Sequence, residues 1–195
     1  MKRFEELIIQ RGAEAADLIE NFCTDRAKTV ARIAETMIKS ILSGGKILVI
    51  GNGGSAADAQ HFAAELVNRF LMERRPLPAL ALTTNSSNLT SIANDYSFEQ
   101  VFSKQVEALG REGDVLLALT TSGASANVLK ALERANAQSM ATVSLTGPDC
   151  SRLDPLCDIC LTVPDRSTPR IQEVHHLVLH LVAEIMEIAL FAHGS

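Results

Sequence analysis

The sequence predicts an α/β protein: a three-layer αβα sandwich on a five-stranded parallel sheet, preceded by N-terminal helices. Two observations carry that expectation. Five short apolar runs, at 46–51, 77–83, 114–120, 140–146 and 158–163, lack polar alternation, as strands buried on both faces do. Segments with helical spacing lie between them, near 55–72, 98–109 and 124–138. Strand–helix–strand alternation of this kind gives a parallel sheet with helices on both faces.

The elements follow in order. Residues 4–22 and 27–45 read as two amphipathic helices, the second with Val30, Ile33, Met37, Ile38 and Ile41 along one side and a stop at Gly44-Gly45. The five strands and their helices come next. A regular final helix closes the chain, with Ile171, Val174, Val178, Leu181, Ile185 and Ile188 at heptad-like spacing. Such a seam suits either the chain's own sheet or a bundle between subunits. With no linker or repeat, the expectation is one domain over 1–195, divided into N-terminal helices (1–44) and an αβα core with its C-terminal helix (45–195).

Composition narrows the function. Hydrophobic residues at 47% and charged residues at 21% are ordinary for a soluble globular protein. Aromatic residues make up 4%, with no Trp and one Tyr, too few to stack a single-stranded nucleic acid. A net charge of −5 also argues against counterion-release binding to nucleic acid. No run reaches the ~18 uninterrupted apolar residues of a membrane helix, and the opening lacks a signal-peptide pattern. A cytoplasmic protein without membrane or nucleic-acid partners is expected. Cys23, Cys150, Cys157 and Cys160 are then reduced thiols. The Cys157-x-x-Cys160 pair has no second pair and sits at a strand, so it reads as structural.

Ligands of parallel α/β sheets bind beyond the carboxyl ends of the strands. Here those ends read Gly51-Asn-Gly-Gly-Ser55, Thr83-Thr-Asn-Ser-Ser87, Thr120-Thr-Ser-Gly-Ala-Ser125 and Thr146-Gly-Pro-Asp149. Small, hydroxyl and amide residues on one sheet edge suit a phosphorylated polyol, with helix N-termini holding the phosphate. Gly51-x-Gly53-x-x-Ala56 fits a loose dinucleotide fingerprint, but the next strand ends in Thr83-Thr84-Asn85 without the acid that would hold a ribose. No nucleotide cofactor is expected.

Titratable side chains form two stripes. Asp58, His61, Glu65 and Arg69 lie along the first helix after β-strand one, and Gln172, His176 and His180 along the last helix, with His175 a rotational neighbour. Each alone passes for a solvated face. His61, Glu65 and His180 together would make a zinc set, though no local motif brings them together.

The segments GNGGSAADAQHFAAEL, ANDYSFEQVFSKQVEALGREGDVLLALTTSG and RIQEVHHLVLH resemble the sugar-isomerase (SIS) domain family, with its flavodoxin-like fold. The nearest likeness is to the branch that isomerises seven-carbon sugar phosphates, and it covers nearly the whole chain. The resemblance implies a homotetramer that interconverts sedoheptulose 7-phosphate and glycero-manno-heptose 7-phosphate for lipopolysaccharide synthesis. By matched motif, Asn52, Gly53, Gly54 and Ser55 would line the phosphate. Asn94, Asp95, Thr120, Thr121, Ser122, Ser125, Glu65 and Gln172 would add substrate contacts. His61, Glu65, Gln172 and His180 would bind Zn²⁺, with Glu65 and His180 also the acid/base pair. Two positions depart from the family pattern: Ala124 replaces an Asn, and Pro169 an Asp. The other reading is a non-catalytic phosphosugar-binding relative that associates with the replication initiator DnaA, but such relatives tend to lack the Glu65 and His180 equivalents.

Overall fold

The computed structural model describes residues 1–192. Its five strands are β1 (Ile47–Gly51), β2 (Ala79–Ala81), β3 (Val115–Leu119), β4 (Ala141–Thr146) and β5 (Ile159–Thr162), each within an apolar run read from the sequence. They form one sheet in the order β2-β1-β3-β4-β5, every pair parallel. β1 and β3 are buried along their whole length, whereas the edge strands β2 and β5 keep half-open positions. Central strands of a covered sheet have two apolar faces, which is why their sequences do not alternate.

The helices α1 (Lys2–Leu42), α2 (Gly54–Val67) and α6 (Thr168–Phe191) share one core with one face of the sheet. The other face packs against α4 (Ser103–Leu109) and α5 (Ala126–Ala137), with partly buried residues of α3 (Ser86–Asp95). Three boundaries differ from the sequence reading. The expected pair of N-terminal helices is a single helix of 41 residues. No Gly or Pro interrupts residues 23–26, and the Thr24 hydroxyl donates to the Glu20 carbonyl at 3.0 Å instead of starting a new cap. α2 ends at Val67 rather than near 72, because the following segment is drawn away by side-chain bonds to α6. α3 was not anticipated: Asn85, read as part of a ligand loop, instead caps it by accepting from Asn88 N at 3.0 Å.

Only the second half of α1 is a core helix. Phe22, Val30, Ile33, Ala34, Met37 and Ile41 are buried, while every residue from Met1 to Ala13 is exposed, Phe4, Leu7, Ile8 and Ile9 among them. Arg170, at the start of α6, donates to the Arg11 carbonyl at 3.0 Å.

α6 passes by length and a mean hydropathy of 1.6 for a bilayer helix, yet it is a core helix of this fold. Its buried stripe is Ile171, Val174, Val178, Leu179, Val182, Ala183 and Met186. The heptad expected from sequence therefore drifts off the core: Leu181 and Ile185 are half-buried, and Ile188 is 49% exposed. A straight helix of 3.6 residues per turn cannot keep a 3.5-residue seam on one side.

His175 belongs to the buried stripe. Its ring is 1% exposed, with Nε2 3.3 Å from the Thr146 carbonyl oxygen. Burial, partly offset by that carbonyl and by Asp58, takes its pKa from the ordinary 6.5 down to about 4. Between those values the unfolded chain binds a proton that the folded chain refuses, so stability rises with pH across this window. Acidification from pH 6.5 to 4 should cost about 3 kcal/mol through this residue. Urea melts at stepped pH should show a His175→Gln variant with a flatter slope in that interval.

Candidate functional site

The chain runs β1 then β2 toward one sheet edge and then β3, β4, β5 toward the other. That reversal opens a crevice above the carboxyl ends of β1 and β3. Gly51 closes β1 so tightly that an added Cβ would lie 2.6 Å from the Ser55 carbonyl oxygen. Gly53 follows at φ +55°, a conformation glycine adopts readily, and occupies the N-cap of α2 without a side-chain cap. Across the crevice Ser125 holds the N-cap of α5, and its hydroxyl makes no cap bond either. Two helix N-termini thus face one space with their first N–H groups uncapped, an arrangement suited to an anion.

The two loops are tied together. The Asn52 and Asn127 side-chain amides exchange two hydrogen bonds, both 2.9 Å. Asn127 is only 3% exposed and was not foreseen as a site residue; its one signal was an amide at a buried position of α5. Thr120 is buried, Thr121 half-buried and Ser122 exposed. Ser122 Oγ accepts from Ala124 N at 3.3 Å. Asn94 and Asp95 lie exposed at the end of α3, bonded to one another at 2.9 Å and joined by no recorded bond to these loops.

The titratable stripes meet along a seam where α2 and α6 run side by side. Gln172 lies against Gly54, so close that a Cβ there would sit 2.5 Å from its Nε2. One turn on, His176 Nδ1 is 3.2 Å from Asp58 Oδ1. Another turn on, His61 Nε2 and His180 Nε2 are 2.8 Å apart, with Glu65 Oε1 3.6 Å from His61 Nε2. The pairs keep a nearly constant sequence offset, as parallel helices with matched spacing do. Arg69, the last residue of the first stripe, falls beyond α2 and pairs with Glu73 at 3.6 Å instead.

Past the histidines the seam is locked. Glu187 and Arg74 form a salt bridge at 3.0 Å with both side chains 1% exposed. The Glu187 carboxylate also accepts from the N–H groups of Phe70, Leu71 and Met72, each at 2.8 Å. Burial alone would raise its pKa, but these donors together hold it below the ordinary carboxylate value. Arg74 in turn donates to the Glu65 and Leu66 carbonyls at the end of α2, at 2.7 and 2.8 Å. The loop held in this way stacks Phe70 on the His180 ring, centroids 5.2 Å apart. Neither Arg74 nor Glu187 stood out in the sequence.

The site therefore gathers His61, Glu65 and His180 as the sequence pattern allowed, and adds His176. Ligand atoms of His61, His176 and His180 lie within 4.8 Å of one another. Burial, then the neighbouring His176 and His61, lower the pKa of His180 against the pull of Glu65. Its ring is thus held toward the neutral form that binds metal or relays protons. Gln172 sits at the loop end of the seam, two helical turns or about 12 Å along α6 from His180.

A family model described as SIS domain matches residues 12–147. A phosphoheptose isomerase of Nitratidesulfovibrio vulgaris is 50% identical over 186 residues, 95% of this chain and 89% of its own length. That of Aromatoleum aromaticum is 59% identical over 161 residues, 81% of either chain. The structure of a phosphoheptose isomerase from Neisseria gonorrhoeae superposes with a TM-score of 0.89 at 42% identity, covering 94% of this chain and 98% of that one.

The lock predicts its own failure. Glu187→Gln keeps the shape but leaves Arg74 buried without a counter-charge, so denaturant unfolding should show a loss of about 3–5 kcal/mol.

Proposed function

The chain belongs to the SIS domain family, and on that footing we propose that it is an aldose–ketose isomerase. It converts sedoheptulose 7-phosphate to D-glycero-D-manno-heptose 7-phosphate, on the route to lipopolysaccharide heptose. The observation that carries this reading is the convergence of His61, Glu65 and His180 on the α2–α6 seam, beside two uncapped helix N-termini at the strand ends. The relatives named phosphoheptose isomerase, matched at 50–59% identity, support the same substrate.

The roles in this reading are as follows. The phosphate lies against the N-termini of α2 and α5, among Asn52, Gly53, Gly54, Ser55, Thr120, Thr121, Ser122 and Ser125. Asn94, Asp95 and Gln172 supply further substrate contacts. Binding energy gathered at that remote end positions the reacting carbons. Glu65 removes a proton from C1, giving the enediol, and returns it to C2. Neutral His180 gives a proton to the C2 oxygen and takes one from the C1 hydroxyl, so the ketone at C2 becomes an aldehyde at C1.

The donor set also fits zinc. Two imidazole nitrogens at 2.8 Å and a carboxylate at 3.6 Å compare with the roughly 3.3 Å between nitrogens of a tetrahedral zinc site. His61, Glu65 and His180 would hold the ion, with His176 within reach; Gln172, the fourth ligand the resemblance implied, lies two turns away against Gly54 and is left as a substrate contact. Bound there, zinc would polarise the substrate carbonyl as a Lewis acid. We place the enzyme in the cytoplasm as a homotetramer, in which the bare apolar turns of α1 are covered by neighbouring subunits.

The test is turnover of sedoheptulose 7-phosphate by purified protein, with and without chelation followed by zinc. Glu65→Gln should lower kcat by about 10²–10⁴-fold while substrate binding, read by calorimetry, stays within a few-fold. Full activity in that variant would remove Glu65 from the chemistry. No turnover by the zinc-restored native protein would instead favour a phosphosugar-binding protein without catalysis.

A further inference from the structure

A second gathering of ligand-type side chains lies across the sheet from the histidines. Cys157 and Cys160 pack on the face covered by α5, whereas α2 and α6 pack on the opposite face. Cys150 stands in the loop after β4, Asp154 opens a short 3₁₀ turn (Asp154–Leu156), and Cys160 lies in β5. Cys150 Sγ is 3.4 Å from Asp154 Oδ2. Ligand atoms of Cys150, Asp154 and Cys160 lie within 4.8 Å of one another. Cys157, half-buried just before β5, is not one of these three.

We propose that Cys150, Asp154 and Cys160 form a binding site for a zinc-class cation separate from the isomerase site, with the fourth position left to water. Thiolates with one carboxylate select a borderline-to-soft cation over Mg²⁺ or Ca²⁺. Zn–S and Zn–O distances in a tetrahedral site place sulfur and oxygen roughly 3.5 Å apart, close to the 3.4 Å observed.

The ligands are also preorganised. The N–H groups of Leu153 and Asp154 both donate to the Cys150 carbonyl, at 2.8 and 2.9 Å, closing a turn around the pair. Leu153 is fully buried and anchors that turn. Cys160 is fixed by its cross-strand neighbour Ser144, whose Oγ is 3.1 Å from Sγ. Without a cation, burial keeps the Cys160 thiol protonated, pushed up to about 12. An arriving ion exchanges its charge for that proton, which passes to water. Asp154 is exposed and Cys150 half-buried, which leaves an entry path.

Cobalt(II) distinguishes this site from the histidines, because thiolate ligands give an intense near-ultraviolet charge-transfer band that imidazole and carboxylate do not. Titration of the phosphine-reduced protein should raise that band to one equivalent per chain. His61→Ala should keep it, Cys150→Ser and Cys160→Ser should abolish it, and Asp154→Asn should weaken Co²⁺ binding at least tenfold. The Asp154 side chain is on the surface, so its loss tests the site without disturbing the core. Absence of the band at saturating Co²⁺, or its survival in Cys150→Ser, overturns the proposal. Neither outcome bears on turnover of the sugar phosphate.

Discussion

The buried ion pair between Arg74 and Glu187 is the constraint on which the site depends. It joins the end of α2 and the loop that follows it to α6, 113 residues further on from Arg74 to Glu187. A desolvated pair of this kind contributes little net stability, because taking both charges out of water offsets most of their attraction. Its value is in register. With Arg74 on the Glu65 and Leu66 carbonyls and Glu187 on three loop N–H groups, α2 cannot slide along α6 without stranding a charge. The upstream pairs on the seam inherit that register.

The site then divides its labour by chemical type. At the strand ends the surface on offer is largely backbone, with glycine at 51 and 53 setting the turn and the amide pair of Asn52 and Asn127 bracing it. Helix N–H groups suit a phosphate whatever sugar it carries. Along the seam, side chains dominate, and their character is set by neighbours. The three histidine rings crowd together, with centroid separations between 4.4 and 5.0 Å, and burial together with His176 and His61 disfavours a positive charge on His180. Asp58 holds His176 from one side and Phe70 covers His180 from the other.

Much of this was legible in the sequence. The apolar runs located every strand, and the i, i+4 spacing placed each polar stripe on its helix, Arg69 excepted. What the sequence could not contain was the meeting of the stripes, because α2 and α6 are adjacent only through the sheet between them in the chain. Arg74 and Glu187 were invisible for the same reason: a lone Arg and a lone Glu carry no local pattern, and burial alone makes them matter. α3 was missed because its apolar stripe is only Leu89, Ile92 and Ala93, a single turn among polar residues and none of it fully buried. The two-helix reading of the N-terminus failed for want of a real breaker. The separation of Cys150 from the Cys157–Cys160 pair in sequence likewise hid a cluster that the turn at Cys150–Asp154 creates.

The long first helix has a further consequence. Arg11 is level with the start of α6, and α6 begins on the side of the sheet where the ligand loops lie. The turns before Arg11 therefore stand about 13 Å beyond that edge, with their apolar side chains bare. Whatever covers them overhangs the mouth of the crevice. Any surface packed on those turns would therefore stand over substrate entry, and a change that loosened such packing would widen that path.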